Sequence, residues 1–117
     1  MASDGGFGSS VEGDVVAIRR ATPEAQAALI ERFLDTHHDV ISAVARRAAA
    51  RCLGVDWDRD GSEVTGLVAL VAAEMLTSPG RPVEAVGGWT TLLLARSRSA
   101  VRHWQQDRVN RLLAAGQ

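Results

Sequence analysis

The feature that most constrains the fold of this chain is an apolar stripe in its first half. The members of the stripe recur at three- and four-residue steps, the spacing of side chains along one face of an α-helix. They are Ile30, Phe33, Leu34, His37, Ile41, Val44, Ala48 and Cys52. Such a face must be covered by other apolar helices. The stripe therefore predicts a helical bundle.

Composition favours packed helices over a sheet. The chain has 117 residues, of which 46% are hydrophobic, but it contains no Tyr and only two Phe. Strands are enriched in aromatic residues, whereas much of the apolar content here is Ala, Leu and Val. At this length folding hides roughly two-thirds of the surface of the unfolded chain, which is enough for one core. We predict a single all-α domain, a compact bundle of three to five helices.

Residues 1–21 differ in composition from the rest of the chain. They hold four of the eleven glycines, three serines and few large apolar groups. Such a segment buries too little apolar surface to offset the entropy lost on ordering. We expect a flexible lead over residues 1–21 and one helical domain over residues 22–113. Local docking of residues 15–20 stays open.

The first helix of the domain is predicted to begin at Thr22. The Thr22 hydroxyl can cap the helix, Pro23 suits the first helical position, and Glu24 is favourable at the positive end of the helix dipole. We expect the stripe to end with Gly54 as the C-cap. Residues 36–39, with the sequence THHD, contain weak helix formers, so one long helix and two shorter ones both remain open.

Two further helices are predicted after a polar loop, GVDWDRDG, over residues 54–61. The first is expected from Glu63 to Thr77, capped by Ser62 or Asp60. The second is expected from Trp89 to at least Gln105, with room for a single turn over residues 83–88 between them. The inward side chains of the first of these helices are predicted to be Val64, Leu67, Leu70, Val71, Met75 and Leu76.

The helix that starts at Trp89 has an apolar side and a polar side when its residues are placed about 100° apart. Arg98, Arg102 and Gln105 fall on the polar side. Arg96 falls on the apolar side, where a buried guanidinium needs a carboxylate partner. The apolar side carries Trp89, Leu92, Leu93, Ala100 and Trp104, with Trp104 expected in the core; the available partners of Arg96 are Asp58, Glu63 and Glu74.

Charge is unevenly distributed along the chain. Residues 95–117 contain five arginines and one acidic residue, a net charge of +4, so the preceding residues must carry −5 to give the total of −1. An acidic body followed by a basic segment can mark a site for an anionic partner.

Neither of two candidate metal sites is complete. The sequence DWDRDG, residues 56–61, has the D-x-D-x-D-G opening of a calcium loop, but Leu67 stands where the closing Glu belongs. His37 and His38 are adjacent, and adjacent histidines cannot bind one ion from a regular helix. We expect a structural role for His37 and neither a metal nor another cofactor.

Nothing in the sequence indicates catalysis. There is no phosphate-binding glycine loop and no His-Glu-x-x-His motif, and Cys52 lies on the apolar stripe, where packing is its expected role. A single cysteine excludes an internal disulfide, and no apolar run approaches the roughly 20 residues needed to cross a bilayer. We expect a cytoplasmic protein that is not an enzyme and does not enter a membrane.

The order of several short motifs points to a protein family. The motifs are Leu53 and Gly54 before the acidic turn, Asp58 within it, Ser62, Glu63 and Val64 at the next helix opening, then Trp89, and finally Ala95, Arg96 and Ser97. In this order and spacing, about two-thirds of the chain resembles region 2 of bacterial RNA polymerase sigma factors. The likeness is greatest to the compact factors of the extracytoplasmic type.

This resemblance implies a fold and two contact surfaces. It implies a bundle like sigma factor domain 2, in which Asp58, Glu63 and Leu67 bind the coiled coil of the polymerase β′ subunit. It also implies that Arg98, Arg102 and His103 contact promoter DNA, where arginines hold a displaced strand through its phosphates.

The sequence leaves three hypotheses for function. The first is a stand-alone sigma-like domain that regulates transcription by binding polymerase, with or without promoter DNA; no helix-turn-helix domain is expected after the last helix. The second is a sigma mimic or docking module that binds a regulatory protein, such as an anti-sigma factor, without DNA contact. The third is an unrelated helical bundle that forms a homodimer.

Overall fold

A computed structural model of the protein describes residues 10–77 and 88–116. Over these residues the chain forms five α-helices and no strand, which confirms the all-α bundle predicted from the sequence. The helices are α1 Val11–Arg20, α2 Pro23–Thr36, α3 His38–Ala50, α4 Trp57–Thr77 and α5 Trp89–Ala115. No helix within the described ranges combines the length and apolarity needed to span a membrane.

Helix α1 corrects the prediction of a flexible lead over residues 1–21. The Ser10 hydroxyl caps α1 by accepting a hydrogen bond from the Gly13 N–H at 3.0 Å. Val15 and Ile18, one turn apart, are both fully buried. These two side chains give α1 an apolar face that the glycine content of the segment obscured. The described domain therefore includes residues 10–20, and residues 1–9 lie outside the described residues.

The apolar stripe is divided between two helices. The Thr22 hydroxyl accepts a hydrogen bond from the Ala25 N–H at 3.3 Å, and Pro23 occupies the first position of α2, as the sequence predicts. Helix α2 ends at Thr36, and α3 begins at His38. The intervening His37 has φ −105° and ψ 27°, so the backbone departs from helical geometry there.

His37 has a structural role at this junction. Its Nε2 atom lies 2.6 Å from Oδ2 of Asp14, and the two residues are only 8% and 1% exposed. The His37 ring also packs on Phe33, with the ring centroids 4.7 Å apart. A buried polar group needs such a partner. The pair fastens α1 to the junction of α2 and α3.

The end of α3 and the start of α4 differ from the predictions. Helix α3 ends at Ala50 rather than at a Gly54 C-cap, and Gly54 lies in the following loop with φ +85°. Helix α4 begins at Trp57 rather than Glu63, because Asp56 caps it. The Asp56 carbonyl accepts from the Asp60 N–H at 2.7 Å, and its side chain accepts from the Asp58 N–H at 3.1 Å. Asp60 and Ser62 therefore lie inside α4 and do not cap it.

The core lies where α3, α4 and α5 meet. Val64, Met75 and Leu76 face it from α4 as predicted, together with Val68 and Ala72. Leu70 was predicted inward and is instead 64% exposed. The buried side of α4 is centred on Val68 and Ala72. Leu70 lies two residues after Val68, about 200° around the helix axis, and therefore on the opposite side of the helix.

Helix α5 begins at Trp89 and extends beyond Gln105, in agreement with the prediction. Trp89 is 1% exposed, and its ring meets the Phe33 ring edge-on at 5.2 Å. Arg96 is exposed, so the predicted inward position of Arg96 is wrong. Trp104 packs against the core but stays partly exposed. The single turn predicted for residues 83–88 falls, apart from Gly88, outside the described residues.

Candidate partner-binding surfaces

A cluster of charged side chains joins the start of α4 to the C-terminal half of α5. Asp60 is 3% exposed, and Arg108 approaches it with both terminal nitrogens, Nη1 to Oδ1 at 2.8 Å and Nη2 to Oδ2 at 3.2 Å. Arg59 donates from Nε and Nη2 to the same carboxylate, each at 3.0 Å. Bidentate guanidinium–carboxylate pairs, with two parallel hydrogen bonds, are among the strong ion pairs in proteins.

The loop before α4 completes this cluster, which we call the α4–α5 latch: Gly54, Arg59, Asp60, Gln105 and Arg108. The Gly54 carbonyl accepts hydrogen bonds from both Arg59 and Arg108, each at 3.1 Å. The Gln105 side chain accepts from Arg108 at 2.6 Å. Both carboxylate oxygens of Asp60 and the Gly54 carbonyl accept hydrogen bonds from Arg108, so the latch holds α5 against the α3–α4 loop.

The environment of the latch changes the acidity of its members. Hydrogen bonds from Arg59 and then from Arg108 and the Asp56 N–H hold the pKa of Asp60 well below its ordinary value. The hydrogen bond and charge of Asp60 raise the pKa of Arg59 in turn. In the calcium-loop pattern, Asp60 was to supply one of the ligand oxygens. In the structure its carboxylate is instead paired with Arg59 and Arg108, and the residue lies within α4. The described residues contain no group of three potential metal ligands.

The residues predicted to bind polymerase lie on α4, but they do not form one cluster. Glu63 is exposed, and Leu67, one turn later, is partly exposed. Asp58 is also exposed, yet it points about 140° away from Glu63 around the helix axis. The geometry groups Glu63 and Leu67 and leaves Asp58 at the far edge of the exposed face.

A residue that the sequence analysis assigned to the core completes the exposed face of α4. Leu70 lies two turns after Glu63 on the same side of the helix and is 64% exposed. Gly66 stands between them, with open space where a side chain would be. We call Glu63, Gly66, Leu67 and Leu70 the α4 stripe. An exposed leucine beside a glycine gap and an acidic group offers a partner helix both an apolar contact and a charge.

The residues predicted to contact DNA all lie on α5 but differ in their exposure. Arg102 and His103 are exposed and share one side of the helix with Ser99, Gln106 and Asn110. Arg98 is only partly exposed, and its Nε atom is buried without a hydrogen-bond partner in the described part of the chain. The surface expected to carry two arginines and a histidine therefore presents one exposed arginine, Arg102, and one that is only partly exposed, Arg98.

Comparisons of the chain with protein-family models, with curated proteins and with solved structures found no match. The assignment of function thus depends on the two surfaces of this protein. The sequence did not reveal Leu70 as part of the α4 stripe, because its spacing from Leu67 also fits an apolar side facing the core. It also did not reveal the role of Arg108, because the partner, Asp60, lies 48 residues earlier.

Proposed function

We propose that this chain is a sigma-like domain that regulates transcription by binding RNA polymerase core through the α4 stripe. The observation that carries the proposal is Leu70, a large apolar side chain 64% exposed in the middle of a helix. Glu63 lies on the same side, at one of the positions that the sigma resemblance assigns to the β′ coiled coil. A helical partner can cover Leu70 and fill the gap over Gly66 in one contact.

The proposal is tested by capture of the domain on the isolated β′ clamp coiled coil. Leu70→Asp is expected to weaken binding at least about tenfold, because burial of a leucine contributes roughly 1.5–3 kcal/mol and about 1.4 kcal/mol corresponds to a factor of ten. The matched control is Leu112→Asp, which alters an equally exposed leucine, 68%, near the end of α5. The control should bind at least as tightly as the wild type.

Charge reversal refines the same experiment. Glu63→Arg should weaken capture by the clamp, whereas Asp58→Arg should have the smaller effect because Asp58 points to the far edge of the exposed face. Capture that is unchanged by both Leu70→Asp and Glu63→Arg would remove the α4 stripe from the proposal.

The proposal assigns promoter DNA a secondary contact at Arg102 and His103. One exposed guanidinium neutralises about one phosphate. A plot of the logarithm of the affinity for single-stranded promoter DNA against the logarithm of the salt concentration should therefore have a slope of only about −0.7. The slope is measured on the domain without polymerase core, whose own phosphate contacts would otherwise dominate it, and Arg102→Ala should remove it. A slope several times steeper would show that further arginines, Arg98 among them, reach the strand.

The second candidate is a docking module that binds a regulatory protein without touching DNA. The buried Nε atom of Arg98 favours it, since this leaves the DNA-facing side with a single exposed arginine. Under this alternative the α4 stripe still binds a partner, but wild type and Arg102→Ala show equal and salt-independent behaviour toward DNA.

A further inference from the structure

The end of α5 extends beyond the rest of the bundle. The last fully buried residue of this helix is Val101, and the last hydrogen bonds that it makes to another part of the described chain come from Arg108. The described protein is elongated, with extents of 60 × 26 × 25 Å. Seven helical residues, 109–115, follow the latch without such an anchor.

This projecting end has an apolar side. Leu112 is 68% exposed and Leu113 is 65% exposed, and the partly exposed Val109 lies one turn before both. We call Val109, Leu112 and Leu113 the α5 tail. Spacings of three and four residues place all three on one side of the helix. The tail is therefore a second exposed apolar strip, at a distance from the α4 stripe.

The two strips differ in charge. Outside the latch, helix α4 contains three acidic residues and no arginine, a net charge of −3, whereas α5 contains four arginines and one aspartate, a net charge of +3. Glu63 is exposed within the α4 stripe, and Arg111 is exposed beside the α5 tail. Two tails brought together would place arginines against arginines, whereas a tail on an α4 stripe pairs opposite charges as well as leucines.

A single molecule cannot make this contact. Helix α4 packs on α5 through its buried side, centred on Val68, so Leu70 on the opposite side faces away from α5 of the same chain. Helix α5 is continuous from Trp89 to Ala115 and does not fold back. Only the tail of another molecule can reach the stripe.

We infer that the α5 tail of one molecule binds the α4 stripe of a second copy of this chain. The contact is heterologous, since two different surfaces meet, and each molecule offers one of each. It does not depend on the polymerase proposal, but it uses the same stripe, so self-association and clamp binding exclude each other at a given stripe.

The test is a mixing experiment with the full chain in analytical ultracentrifugation at low salt. The wild-type mass should rise above the 12.4 kDa of the monomer as concentration increases. Leu70→Asp breaks the stripe and leaves the tail, and Leu112→Asp breaks the tail and leaves the stripe. Each variant alone should associate at least about tenfold more weakly than the wild type. Both changes lie at exposed positions, and circular dichroism spectra and Tm values equal to those of the wild type verify folding.

The decisive sample is an equimolar mixture of the two variants. The intact tail of the first can bind the intact stripe of the second, so the mixture should regain association that neither variant shows alone. A mixture as weak as its components, beside a wild type that associates, overturns the inference. A Leu70→Asp variant that alone associates as strongly as the wild type overturns it in favour of tail-to-tail pairing. A wild type that remains monomeric at about 1 mM, an affinity limit of about −4 kcal/mol, also overturns it. Clamp capture by Leu112→Asp tests the polymerase proposal separately, because that variant keeps the stripe.

Discussion

Replacement of Phe33 by alanine is expected to lower the free energy of unfolding by about 3–5 kcal/mol. Phe33 is fully buried where α2, α3 and α5 meet, 4.7 Å from the His37 ring and 5.2 Å from the Trp89 ring. Loss of the ring removes its transfer free energy and leaves a cavity between the His37 and Trp89 rings. Domains of this size are stable by roughly 5–15 kcal/mol, so the variant loses a large part of the total.

Urea denaturation followed by circular dichroism measures this loss. Phe33→Leu keeps most of the volume and should be much less destabilised. Leu53→Ala is the surface control, since Leu53 is 94% exposed and its removal should change the free energy of unfolding by less than about 0.5 kcal/mol. A Phe33→Ala variant as stable as Leu53→Ala would contradict the central position of the ring.

Replacement of Asp60 by asparagine is expected to lower the Tm substantially at neutral pH and much less in acid. The asparagine cannot accept from Arg59 and Arg108 on both sides, and its amide group would point N–H donors at guanidinium donors. The pKa of Asp60 is lowered in the folded state, so its contribution to stability is fully present above the ordinary carboxyl pKa of about 4. That contribution is lost as the pH falls toward the lower folded-state pKa.

Tm values of wild type and Asp60→Asn at pH 7 and near pH 2.5 give the comparison. The difference between the two proteins should be largest at pH 7 and should narrow in acid. Asp58→Asn is the matched control, because Asp58 lies two residues earlier in the same helical turn but is exposed. Equal effects of the two substitutions, or a difference that widens in acid, would contradict the latch.

The sequence predicted those parts of the fold that depend on local signals. Thr22 and Pro23 marked the start of α2, and Trp89 marked the start of α5. Helix α1 was missed because its two buried side chains, Val15 and Ile18, lie among glycines and charged residues. The start of α4 was missed because Asp and Gly are weak helix formers, and the latch that stabilises Asp60 there involves a residue of another helix.

The candidate surfaces were predicted less completely, and for a related reason. Periodicity shows that a helix has an apolar side but does not fix the centre of that side. The predicted centre was wrong by one or two positions on α4 and α5, so Leu70 and Arg96 were predicted inward although both are exposed. Glu63, Leu67, Arg102 and His103 lie at accessible or partly accessible positions in the structure. Whether they bind polymerase or DNA stays a prediction.

Gly54 bears on the meaning of the sigma resemblance. With φ +85°, the residue adopts a backbone conformation that residues with a side chain disfavour, and an added Cβ atom would displace the end of the Gln105 side chain from its place in the latch. A chain that closes an α3–α4 loop against α5 in this way therefore favours a glycine there, whatever it binds. The Leu-Gly on which the sigma resemblance partly rests is therefore information about how helices pack. Information about binding partners lies instead at positions that packing does not constrain, and Leu70 is such a position in this chain.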